Sequence, residues 1–211
     1  MFNLTPVVRN LLLINAIVFI GQMVAPAIDV GGCFGPMQSY RQDAVTAYLS
    51  LFNVRTDCFR PYQLFTYMFA HGGFTHIFFN MLMLAFTGPI LETFWGQKRF
   101  LLFYIVTGVG AAIFSVLIDL FFGGGGGIML GASGAIYGIL MGFGMLFPNM
   151  EVQLLIPPIP IKAKYLVFFL FGLTFIMDRS GSVAHFAHLG GIVVAFLFIK
   201  FWGGRGGSSY Y

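Results

Sequence analysis

The chain has 211 residues, of which 58% are hydrophobic and 9% charged, whereas an average soluble domain is roughly 25% charged. With 11 basic and 7 acidic residues, it has too little charge to coat a soluble surface. Two cysteines exclude a disulfide-dense scaffold, 27 Phe, 9 Tyr and 2 Trp exclude a disordered chain, and a net +4 without a basic run excludes a nucleic-acid binder. The apolar surface must face a lipid bilayer, and the sequence reads as an all-α polytopic membrane protein.

A charge at mid-membrane costs roughly 2.5 to 3.5 kcal/mol on insertion scales, so charge-free windows locate the spans. They cover residues 10–28, 61–91, 100–118, 120–150, 165–177 and 180–199. The first predicts a helix over about 8–27. Its single Arg9, apolar centre and small residues 24–27 also fit a secretory signal, but cleavage would leave five spans and no domain to export, so a retained span is expected. An outer loop over 28–71 holds Cys33 and Cys58, which are either bridged or free thiols. Helices over about 72–94 and 99–121 follow.

The glycine run 123–127 lacks the Lys-Ser/Thr ending of a phosphate loop and reads as a connector. The fourth helix spans about 133–147. The fifth, about 161–177, is short and lets Lys162 and Lys164 snorkel towards headgroups. The Ser/Gly-rich stretch 178–183 reads as a mobile lid ahead of a sixth helix over about 183–201. Residues 1–202 thus form one six-helix domain, and the Gly/Ser-rich tail 203–211 reads as disordered.

Orientation follows from Lys and Arg in short loops. Arg9, Lys98, Arg99, Lys162, Lys164, Lys200 and Arg205 fall on one side, and Arg41, Arg55, Arg60 and Arg179 on the other. The richer side is the expected cytoplasmic face of a multi-pass protein of the cell (inner) membrane. Both termini lie there.

The four histidines, His71, His76, His185 and His188, all lie in or beside predicted spans, where ionisable groups are functional candidates. A lone histidine would merely bond a nearby backbone group, but here position argues otherwise. The helices carrying His76, Ser133 and His188 all run from outside to inside, with each residue near the outer end. From Ser133 to the Pro148 break is about 22 Å of helix in a core about 30 Å thick, which sets Ser133 roughly 8 Å below the outer boundary. There it meets the free N–H groups and dipole of a helix start, which favour an oxyanion.

The serine could simply cap its helix, and the glycines around it could simply pack. Both functions are compatible. Gly134, Gly138 and Gly142 form one small-residue ridge, Ala187, Gly191 and Ala195 another, and close helix approach is what a Ser–His pair on two helices requires. His76 and Asn80, four apart, project from one helix face. His185 and His188 both could face inward, and the deeper His188, beside the ridge, is the expected base.

These residues make the sequence resemble the rhomboid intramembrane serine proteases over most of its length. His71-x4-His76-x3-Asn80 resembles the family's second-helix motif, and Gly131-x-Ser133-Gly134-x-x-Tyr137-Gly138 its nucleophile motif. Ala187-His188-Leu189-Gly190-Gly191 resembles the last-helix motif, and Glu92-x3-Gly96-x2-Arg99-Phe100 the junction after the second helix. The resemblance implies a minimal six-helix serine endopeptidase with Ser133 as nucleophile, His188 as general base, and His76, Asn80 and the Ser133 N–H as oxyanion donors. It also implies that Tyr137 packs on His188, that Gly131 belongs to the nucleophile loop, that His71 braces the loop above, and that Glu92 is a structural hydrogen-bonding residue.

Asp119 and Asp178 sit at span ends, so the machinery is a dyad with no third acid. Phe59-Arg60 stands where the family commonly has Trp-Arg. The implied partners are transmembrane protein substrates, cut in or beside a membrane helix near the outer face; neither a cofactor nor a metal is expected. The main alternative is a catalytically silent rhomboid-like protein that binds membrane clients. A transporter would show midplane ion sites or repeated broken helices, a zinc protease His-Glu-x-x-His, and an aspartyl one paired membrane aspartates; none is present. The sequence carries no signal for oligomeric state.

Overall fold

The computed structural model describes residues 4–33, 40–123, 127–153, 159–177 and 182–202. Helix α1 (Pro6–Val24) is followed by strands β1 (Ala27–Asp29) and β2 (Arg41–Asp43) and by short helices α2 (Ala44–Leu49) and α3 (Gln63–Thr66). Helices α4 (Phe74–Trp95), α5 (Gln97–Phe122) and α6 (Ser133–Leu146) come next. Strands β3 (Glu151–Gln153) and β4 (Pro160–Lys162) then lead into α7 (Ala163–Met177) and α8 (Ser182–Trp202). Both strand pairs are antiparallel, with Ala27 opposite Asp43 and Glu151 opposite Lys162.

Helices α1, α4, α5 and the stretch His185–Trp202 of α8 are long and apolar enough to cross a membrane, and α6 and α7 are shorter apolar helices. The molecule is an all-α polytopic membrane protein. Its outward faces carry Ile17, Ile20, Met23, Phe121, Phe168, Phe175 and Phe201, as lipid contact requires. The tail 203–211 and residues 178–181 of the expected lid lie outside the described residues, as do residues 124–126 of the glycine run.

Local chemistry sets the helix ends. Pro6 opens α1, where its missing N–H costs nothing, and Pro26 forces Ala25 into the extended conformation that ends it. Gly96, at φ +79°, separates α4 from α5, and Gly123, at φ +69°, closes α5; both are backbone states that a side chain disfavours. No acidic residue lies in the first turn of α1, and Glu92 from α4 takes that place. One carboxylate oxygen accepts from the Thr5 hydroxyl and from Val8 N–H at 2.9 Å, the other from Val7 N–H at 3.0 Å. Glu92 is 2% exposed, so its carboxyl oxygens are satisfied almost wholly by this cap.

The Thr5–Glu92 cap, the Phe94–Phe147 ring contact and the β3–β4 pair gather at one end of the bundle. Arg9, Lys98, Arg99, Lys162, Lys164 and Lys200 all lie at this end by helix direction. Arg41, Arg55 and Arg60 lie at the other, where Arg55 donates to Leu120 O and Asn53 donates to the Asp119 carboxylate at 2.6 Å.

Helix α6 is the hub, packed against α4, α5, α7 and α8. It is buried on nearly every face, as an all-round apolar helix must be. Small residues allow the crowding. A Cβ on Gly138 would sit 2.6 Å from Thr107 of α5, and one on Gly191 of α8 only 2.0 Å from Gly134 O. The two expected ridges therefore serve different neighbours: Gly134, Gly138 and Gly142 face Ala111, Thr107 and Phe103 of α5, and Gly191 brings α8 against the α6 backbone at Gly134.

In the described part of the long connection between α1 and α4, Cys33 and Cys58 are joined by a disulfide. Gln63, buried to 2% exposure, staples it. Its carbonyl oxygen accepts from Arg60 N–H at 3.0 Å and its amide donates to Cys58 O at 3.2 Å. Phe59 packs against the main core.

Candidate active site

Ser133 is the first residue of α6, and no side chain caps that helix start, so its first N–H groups have no partner within the helix. The segment leading into it is held from two sides. Met129 and Leu51 exchange backbone hydrogen bonds of 2.9 Å each, and Gly131 N–H donates to Tyr67 O at 2.9 Å. Tyr67 is buried and anchors in turn on α5, its hydroxyl donating to Gly108 O at 2.7 Å. The serine thus stands at the end of a fixed loop.

Across the α6–α8 contact, His188 Nε2 lies 2.8 Å from Ser133 Oγ, within the reach of a nucleophile and its base. With the serine hydroxyl donating, Nε2 is the acceptor. The Tyr137 ring stacks on His188 at 4.3 Å and 27°. Tyr137 is itself tied to α7, its hydroxyl 3.0 Å from Thr174 Oγ1. Thr174 donates its one proton to the carbonyls of Leu170 and Phe171, so Tyr137 is the donor. The His185 ring packs on Phe175 at 4.9 Å, and the serine oxygen is engaged by the deeper histidine.

On the other flank, α4 presents His76 and Asn80 to the nucleophile loop. A Cβ on Gly131 would lie 2.6 Å from His76 Nε2 and 3.7 Å from Asn80 Nδ2. With Gly131 at φ +113°, both space and backbone demand glycine. Asn80 is 7% exposed and its Nδ2 has no hydrogen-bond partner, an expensive state for a buried donor. Gly72 N–H donates to His76 Nδ1 at 3.3 Å, so Nδ1 is the acceptor and the ring proton of the neutral tautomer sits on Nε2. Two donors, Asn80 Nδ2 and His76 Nε2, therefore flank Gly131, two residues before the serine.

His71 lies in the loop just ahead of α4, with its ring edge-on to His76 at 5.1 Å. Burial, and to a lesser degree the neighbouring His76, lowers its pKa to about 4, so the ring is neutral near pH 7. Glu92 lies at the far end of α4, capping α1, and takes no part in this cluster. Among the described residues, no group of three or more His, Cys, Asp or Glu side chains could hold a metal ion.

The structure thus brings Ser133, His188 and Tyr137 together, and Gly131, His76 and Asn80 beside them. Sequence reasoning missed Gln22, Tyr67 and Thr174. Gln22 and Thr174 left a usable trace as polar side chains inside apolar windows, where each needs a partner.

Comparison with known proteins agrees with this architecture. The family model for the Rhomboid domain matches residues 59–204. RHOMBOID-like protein 1 of Arabidopsis thaliana is 32% identical over 136 residues, covering 64% of this chain and 33% of that protein. The rhomboid-named YdcA of Bacillus subtilis is 30% identical over 162 residues, covering 75% of this chain and 76% of that protein. Rhomboid protease GluP of the same organism is 35% identical over 79 residues, 37% of this chain and 14% of that protein. The chain belongs to the rhomboid family. It spans about a third of the plant relative's length.

Proposed function

We propose that this protein is an intramembrane serine endopeptidase that hydrolyses peptide bonds in or beside the transmembrane segments of membrane proteins. The observation that carries the reading is the 2.8 Å contact between Ser133 Oγ and His188 Nε2, made across two helices whose backbones meet at glycines. In the first step Ser133 Oγ attacks the scissile carbonyl carbon while its proton passes to His188 Nε2. The oxyanion is held by the Ser133 N–H, Asn80 Nδ2 and His76 Nε2. Collapse breaks the C–N bond, with His188 returning the proton to the leaving amine. Water then attacks the acyl carbonyl carbon while its proton passes to His188 Nε2; collapse breaks the ester bond to Ser133 Oγ, His188 returns the proton to that oxygen, and the carboxylic acid product leaves.

In this scheme the machinery is a Ser133–His188 dyad, and the His188 ring must be oriented by packing. Ring stacking on Tyr137, itself tethered to Thr174, takes over that role. Residues 1–202 form the catalytic core in this reading, and the six apolar helices all cross the membrane. The basic end of the bundle faces the cytoplasm together with both termini, by the positive-inside bias. The site then opens to the outer face of the inner membrane. A substrate helix must unwind locally to expose an amide, so helix-breaking residues near the cut favour cleavage.

The test is labelling of the purified protein with a fluorophosphonate, followed by peptide mass analysis. The adduct is expected on Ser133 and absent from Ser133→Ala. An unlabelled wild type under conditions that label other serine hydrolases would reject the nucleophile.

A further inference from the structure

The side chain of Gln22, in the last turn of α1 and 8% exposed, reaches across to the loop that precedes α4. Its Oε1 accepts from His71 N–H at 3.0 Å, and its Nε2 donates to His71 O at 2.9 Å. One amide therefore pairs with both backbone groups of a single residue, as a neighbouring strand would. Nε2 also donates to Thr46 Oγ1, and Thr46 passes its own proton to the Asp43 carboxylate, which caps α2. Turning the amide over would set donor against donor at His71 N–H and acceptor against acceptor at its carbonyl. The network thus fixes one orientation.

Immediately after the clamped residue, Gly72 N–H meets His76 Nδ1, the contact that leaves the ring proton on Nε2. Gln22 lies outside residues 59–204, the part of the chain matched by the family model. We infer that Gln22 is a positioning residue for the oxyanion site, holding His71 and Gly72 so that His76 presents Nε2–H beside Gly131. The inference rests on the oxyanion role proposed above for His76. A supporting shell of this kind matters because a donor displaced by about 1 Å loses much of its effect on the transition state.

The experiment is a double-mutant cycle on the bilayer-reconstituted full chain, cleaving a model transmembrane substrate. Gln22→Leu is expected to lower kcat about 10- to 100-fold while KM stays within about twofold. In a His76→Ala background the same change is expected to cost less than about threefold further, because its target is gone. An equal loss in both backgrounds would mean general softening of the fold and overturn the inference, as would an unchanged kcat for Gln22→Leu. A wild-type rate for His76→Ala alone is a different result: it removes the oxyanion reading and this inference with it. Where Gln22→Leu does not fold, Thr46→Val loosens the same amide from the loop side, with a loss in kcat expected that is again masked by His76→Ala. Where His76→Ala turns over too slowly, the cycle is read from the fluorophosphonate labelling rate at Ser133.

Discussion

Replacing Gly191 with alanine tests whether the dyad depends on backbone contact between α6 and α8. The added Cβ would stand 2.0 Å from Gly134 O and 2.9 Å from Gly134 C, and neither is the flexible tip of a side chain. Restoring an ordinary 3.4 Å contact moves the helices apart locally by about 1.4 Å, on the scale of a single methyl group overpacked into a tight core. Gly191 lies one turn from His188 on the same face, so the 2.8 Å Ser133–His188 contact would open to about 4 Å, beyond hydrogen-bond reach.

A misplacement of this size is worth about a hundredfold in rate. Gly191→Ala is therefore expected to lower both cleavage and fluorophosphonate labelling at Ser133 by about two orders of magnitude. Gly172→Ala on α7, where a Cβ meets nothing within 4 Å, serves as the control and should match wild type. The assay is turnover of a model transmembrane substrate in vesicles, with thermal unfolding of each variant followed in parallel. Wild-type kcat in a folded Gly191→Ala would refute the reasoning, because the dyad would then not depend on this contact.

Three further outcomes follow from the geometry. Asn80→Ala removes one buried donor and is expected to cost about a hundred- to a thousandfold in kcat, with labelling at Ser133 retained but slowed; a labelling time course checks it. His188→Ala should abolish cleavage and His185→Ala should preserve it, since the Ser133 contact is made by His188; the reverse pattern in a gel-based cleavage assay would overturn the assignment. Glu92→Ala strips the first turn of α1 of three hydrogen bonds and is expected to destabilise by about 3 kcal/mol, lowering the unfolding temperature while the folded fraction still labels at Ser133.

The helices were legible in the sequence because membrane insertion penalises every charge, leaving gaps that outline each span. The ends were less legible, because Pro6, Pro26, Gly96 and Gly123 set them and not the charges. The candidate site was legible for a related reason, since His76, Asn80, Ser133 and His188 stand out as polar groups in apolar helices. The connection between α1 and α4 was not. Its helices have six and four residues, too short for periodicity to register, and they are held by Gln63 and the Cys33–Cys58 bridge, whose pairing the sequence left open. Gln22, Thr46 and Thr174 were illegible as parts of the site because each acts through a partner tens of residues away. The sequence shows that such an amide or hydroxyl needs a partner without saying which.

The central claim is that Ser133 is the nucleophile of a membrane-embedded protease. Its most direct test is cleavage of a model transmembrane protein by purified protein in vesicles, with the products mapped by mass spectrometry. Wild type is expected to cut one bond in or beside the substrate's membrane helix, and Ser133→Ala is expected to leave that bond intact to the limit of detection, a loss of up to about a millionfold by the precedent of serine hydrolases. Cleavage of the same bond by Ser133→Ala would contradict the account, and intact substrate with wild type would favour a protein that binds membrane clients without cutting them.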